Sequence, residues 1–283
     1  MIRKGFHKLW LILSYLFLRF IKEGFTYRAA SLAYATLLAI VPLTIVTFTI
    51  LSFFPAFSGI AAKLQQFIIH NFVAESANVI STHIDHFLSN VHKLSKVNIV
   101  FLVILNLLML YNINQAFNSV WRAKPKINLS ITFLIYFIVL LLSPIVFGGV
   151  LVLASFVFKL SYVQNLMKHV TLLRPIIVLL PHLVTFLTFT VFNWILPSCR
   201  VRLLHAVVGG FITTVIFELA KTGFAFYLSK FSTYRVVYGA LATLPLFLIW
   251  LYVSWLIILL GAIVTNLVAV GVPEPWQQKL KKV

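Results

Sequence analysis

The chemistry available to this 283-residue chain starts with Glu218 and Lys221, which interrupt an otherwise apolar stretch from about 203 to 228. Standing i and i+3, they share a helical face and can pair. Near a bilayer centre each such charge costs roughly 2.5–3.5 kcal/mol on insertion scales. Together they can grip a polar headgroup or carry a proton. They can equally be a structural ion pair, with the lysine reaching toward the interface.

A second polar set comes earlier in the chain. Tyr111, Asn114, Gln115, Asn118 and Arg122 recur at helical spacing, with Asn106 and Asn112 close by. Such side chains inside lipid must find partners across helices. They can line a hydrophilic path or hold helices together, and the second use is the commoner one. His182, Asn193 and His205 stand alone near the ends of apolar runs and read as packing residues. His83, Asp85 and His86 form a short H-x-D-H cluster. Two histidines on one face resemble half a zinc site, but no third ligand stands at supporting spacing, so a solvated helix face is the default and no metal is expected. None of the glycines forms a phosphate-binding loop, and no cofactor is implied. Pro42, Gly239 and Pro245 are the candidate hinges, because proline removes a helical hydrogen bond and glycine frees the backbone. Pro144 and Pro181 also interrupt apolar runs.

The elements that must position these groups follow from composition. Hydrophobic residues make up 61% of the chain and charged residues 10%, against about 25% charged in soluble domains. A soluble fold could not cover its surface with so few polar groups. The expected class is all-α: a single polytopic membrane domain over residues 1–283 with six transmembrane helices. The apolar runs place them near 30–54, 97–120, 129–158, 175–197, 203–228 and 246–270. Lys4, Lys8, Tyr15, Arg19 and Lys22 share one face of an N-terminal segment too short to span. It reads as an amphipathic helix at the interface, lysines toward water. Residues 55–96 carry charges, four histidines and helical apolar spacing, which predicts external amphipathic helices between spans one and two.

The net charge is +18, with only five acidic residues: Glu23, Glu75, Asp85, Glu218 and Glu274. The cations lie between apolar runs, which favours loop bias over nucleic-acid binding. The N-terminal arm, the loops after spans two and four, and the tail hold fourteen Lys and Arg; the opposite loops hold eight. Both termini are therefore expected in the cytoplasm. The expected partners are membrane lipids, including anionic headgroups. Cys199, the single cysteine, excludes an intramolecular disulfide.

Three stretches carry a family resemblance: RAASLAYATLLAIVPL at Arg28–Leu43, LLMLYNINQAFNSVWR at Leu107–Arg122 and YGALATLPLFLIWLYVSWLIILLGA at Tyr238–Ala262. Together they resemble the YihY/BrkB family of bacterial inner-membrane proteins, most closely its YihY branch. The resemblance implies six spanning helices and an inner-membrane location. Of activity it implies little: a ribonuclease BN label generally regarded as a misassignment, a link between BrkB and serum resistance, and lipopolysaccharide-precursor export in a related branch. One position departs from the pattern. Family members often continue the last motif with an acidic residue, and here Ile263 stands there.

Two function classes remain. A transporter, or a translocase of lipids or envelope precursors, would use the polar groups and the proline-broken helices. A non-catalytic scaffold or envelope-assembly factor would use the amphipathic arm and the external segment. A ribonuclease would need clustered carboxylates holding metal, and the five acids are scattered. The chain is expected not to be an enzyme.

Overall fold

The structure is a computed structural model. It describes residues 2–52, 96–123, 131–142, 145, 149, 173–230 and 243–272. Seven helices cover nearly all of these: α1 Ile2–Lys22, α2 Phe25–Ser52, α3 Lys96–Trp121, α4 Ile131–Leu142, α5 Leu173–Ile195, α6 Leu203–Lys230 and α7 Thr243–Val270. No strand occurs among the described residues. Among the described residues three helices are long and apolar enough to cross a bilayer: Val100–Trp121, Leu203–Leu228 and Leu244–Val270. The expected external helices of 55–95 and the second half of the third span, 143–158 apart from two residues, lie outside the described residues.

Several boundaries move, for local reasons. The last helix starts at Thr243, ahead of the expected 246. Pro245 is therefore in its first turn, where an N–H has no partner to lose and the fixed φ suits a helix. Pro175 takes the same third position in α5. Pro42 and Pro181 lie well inside α2 and α5, and Gly239 is outside the described residues. The expected start of the first span, near 30, moves back to Phe25. Only Glu23 and Gly24 separate α2 from α1, and Gly24 adopts φ +71, the left-handed conformation that glycine reaches without strain.

The helices group into two compact units. The first combines Met1–Leu37, Asn112–Lys126 and Ile177–Val283. Phe25, Leu32, Phe117, Val120, Leu259 and Ile263 are nearly or wholly buried in it. Ile263, the position that departs from the resembled motif, is thus a packing residue here. In lipid the water-driven term is missing, so helices are held by close fit and hydrogen bonds. The α6–α7 pair illustrates the fit. Gly209 faces Thr265 while Thr213 faces Gly261, an antiparallel reciprocal arrangement. A Cβ on either glycine would fall inside the opposing threonine side chain. The Trp255 indole Nε1 donates to Thr36 Oγ1 at 3.0 Å, tying α7 to α2.

The second unit combines Leu38–Tyr111 and Ile127–Ile176. Tyr111 stacks on Phe133, with ring centres 5.8 Å apart, and Phe133 meets Tyr136 edge-on. Asn106, 2% exposed, donates its amide to the Leu102 carbonyl one turn back at 2.9 Å.

Candidate functional site

Glu218 and Lys221 pair as their spacing predicts. Lys221 Nζ lies 2.6 Å from Glu218 Oε2. The structure adds a third group that was read as packing: His182 of α5, whose Nε2 is 3.6 Å from the same Oε2. That is an ion-pair distance when the imidazole is protonated. The Glu218 side chain is 18% exposed, whereas Lys221 and His182 are about half exposed. The carboxylate sits behind two accessible donors. Aromatic rings neighbour it along α6. Phe217 packs against Phe189 and Trp250, and Phe224 stacks on Trp250 with centres 5.0 Å apart.

The polar stripe of α3 has a different use. Asn114 Nδ2 donates to the Leu196 carbonyl at 2.8 Å. Asn118 Nδ2 donates to Asn114 Oδ1 and to Ser198 Oγ, and its Oδ1 accepts from the Ser198 backbone N–H at 2.7 Å. The turn between α5 and α6 has backbone groups without helical partners, and the two asparagines supply them. Of the other stripe members, Gln115 is exposed and Tyr111 is in the aromatic stack of the second unit. From the Leu196 contact to His182 is fourteen residues along α5, roughly 20 Å at helical rise. The two asparagines and the Glu218 cluster therefore do not form one site.

A third cluster escaped the sequence reading. Arg19 shares the face of α1 whose lysines are expected toward water, yet it is 9% exposed, and Tyr15 is buried beside it. Tyr15 and Arg19 share a buried face while Lys22, of the same expected face, is exposed; the helical wheel does not tell which face meets protein. The guanidinium donates to Asn266 Oδ1 of α7 at 2.8 Å, to the Val120 carbonyl of α3 at 2.7 Å and to Glu23 Oε1 at 3.2 Å. Glu23 also accepts from Arg122 Nη2 at 2.8 Å. That hydrogen bond, then the carboxylate's charge, hold the Arg122 guanidinium further above its ordinary pKa. Arg122 itself closes α3 with φ 49, the left-handed cap usually given to glycine. Its N–H reaches the Ser119 carbonyl, and the next N–H reaches Asn118. The available signal was Arg19 and Glu23 at i and i+4 on a mostly apolar helix.

These contacts gather the end of α1, the end of α3, the α5–α6 turn and the end of α7 at one end of the first unit. Among the described residues no three His, Cys, Asp or Glu side chains come together as a metal site. His83, Asp85 and His86 lie outside the described residues. Asn193 is 2% exposed and bonds the Phe189 carbonyl, while its Oδ1 has no partner among the described residues. His205 is half-buried.

Comparison with known proteins agrees with this membrane architecture. Residues 16–280 match the family described as virulence factor BrkB. A UPF0761 membrane protein of Coxiella burnetii is 52% identical over 265 residues, covering 94% of this chain and 95% of the relative. A UPF0761 membrane protein of Aeromonas salmonicida is 37% identical, covering 86% and 84%. Another from Vibrio campbellii is 37% identical, covering 95% and 85%. No solved structure matches the chain.

Proposed function

Since this chain belongs to the virulence factor BrkB family of membrane proteins, we propose that it is a transporter, or a translocase of lipids or envelope precursors, and not an enzyme. In this reading six helices span the bacterial inner membrane and both termini are cytoplasmic. The observation that carries it is the ion cluster of His182, Glu218 and Lys221 on apolar helices. Unpaired charges in lipid are costly, and intramembrane ionisable groups are functional candidates by default. Lys221 and His182 present hydrogen-bond donors to an anionic headgroup. Glu218 holds them in place and offsets the lysine charge when no substrate is bound. An arriving anion replaces the carboxylate as their partner.

Reconstitution into liposomes with labelled lipids and small solutes tests this. Glu218→Gln is expected to lower flux at least about tenfold, the scale of one lost charged contact of roughly 1.4 kcal/mol. Equal flux in wild type and variant would remove Glu218 from the mechanism. RNA degradation by the pure protein, lost in Glu218→Gln, would reverse the non-enzymatic reading. For orientation, an impermeant thiol reagent applied to intact cells is expected to leave Cys199 unlabelled; ready labelling would invert the topology.

The second reading, a membrane scaffold or envelope-assembly factor, draws on the asparagine stripe. Asn114 and Asn118 are consumed in holding a turn, as helix-binding polar groups are.

A further inference from the structure

The outward side of α1 is apolar where a surface helix in water is polar. Trp10, Leu13, Phe17 and Ile21 recur at spacings of three, four and four and are 61%, 51%, 66% and 49% exposed. The opposite side, with Tyr15, Leu16 and Arg19, is buried. The helix therefore docks through an arginine and presents aromatic and aliphatic groups outward. Two further aromatics are exposed at the same end of the unit: Tyr27, in the first turn of α2, and Trp194, in the last turn of α5. Exposed tryptophan and tyrosine concentrate where headgroups meet acyl chains.

Charge at this end points to the same surroundings. Lys22, Arg28, Arg200 and Arg202 are exposed, and none forms an ion pair with a described residue. Among the described residues the acid beside them is Glu23, which is already shared by Arg19 and Arg122. A stripe of apolar groups edged by cations that no described residue pairs fits an anionic lipid surface better than water or a protein of mixed charge.

We propose that α1 is a membrane-surface element: its Trp10–Ile21 stripe enters the acyl boundary of the leaflet at this end, and the Lys22, Arg28, Arg200 and Arg202 cations bind anionic phospholipid headgroups. The site is independent of the His182–Glu218–Lys221 cluster and of any transport.

The test uses the full-length protein with Cys199→Ser and Leu13→Cys, labelled with a small fluorophore. It is reconstituted into phosphatidylcholine vesicles, with or without phosphatidylglycerol, whose acyl chains are brominated. Quenching by bromine with protection from aqueous iodide is expected. Phe17→Cys serves as the second probe should Leu13→Cys fail to fold. Phosphatidylglycerol retained through purification is expected to fall at least about tenfold in the Lys22→Gln, Arg28→Gln, Arg202→Gln triple variant. Iodide access without bromine quenching would put the stripe in water and overturn the proposal. Disulfide linking of two copies through Leu13→Cys would assign the stripe to a second copy and overturn it too. Unchanged phosphatidylglycerol retention in the triple variant would overturn the headgroup assignment.

Discussion

The Arg19 and Glu218 clusters each join groups from separate helices around a charge, but they are built in opposite ways. Arg19 is buried and gives hydrogen bonds to three different acceptors at helix ends. Glu218 is partly shielded, but its partners are half exposed and lie well inside α5 and α6. A charge whose bonds are all taken by protein is committed to holding shape. A charge whose partners face outward can exchange them. The difference separates a fastening from a candidate binding site, although both look alike in the sequence, as opposite charges one helical turn apart.

The sharpest way to break the comparison is Arg19→Leu. It strands Asn266, the Val120 carbonyl and half of the Glu23 interaction, and should lower stability by about 3 kcal/mol or more. The midpoint of thermal unfolding in detergent measures it. Arg19→Lys should recover less than half, because one ammonium cannot match a planar fork serving three acceptors. Next in size, Asn118→Leu removes the partners of Ser198 and of Asn114 and should cost about 2 kcal/mol. The same variant should raise the alkylation rate of Cys199, the next residue, in purified protein. A double-mutant cycle of Glu218→Gln and Lys221→Met should return a coupling below about 1 kcal/mol, since the lysine is half exposed. A coupling as large as the Arg19→Leu loss would make Glu218 a fastening and erase the contrast. The smallest effect belongs to Arg122→Gly. It loses an exposed ion pair and gains an unstrained left-handed cap, so the unfolding midpoint should change by less than about 1 kcal/mol of equivalent stability.

The helices α3, α6 and α7 were legible in the sequence because apolar runs of spanning length leave little choice of structure in lipid. The Glu218–Lys221 pair was legible for a local reason, its i,i+3 spacing. His182 was not, since its distance from Glu218 depends on how α5 lies against α6, and no local pattern records that. Arg19 was assigned to the wrong surroundings because amphipathicity identifies a face without naming what it faces. Asn114 and Asn118 were recognised as polar groups needing partners, and the favoured use as glue matches their contacts. Their partners are mainly backbone groups of a turn, which carry no side-chain signature. The start of α7 at Thr243 lies ahead of the expected 246 because Pro245 reads as a break in sequence, whereas proline in a first turn continues a helix.

The seam between α6 and α7 has a consequence for how the protein is made. Thr213 and Thr265 give their hydroxyl hydrogens to carbonyls of their own helices, at Gly209 and Gly261. Neither needs the neighbouring helix to be satisfied. Each helix can leave the translocation machinery and enter the bilayer alone, with these hydroxyls already paired. Assembly can then wait until both are in the membrane, where what remains is to match the glycine hollow of one with the threonine ridge of the other.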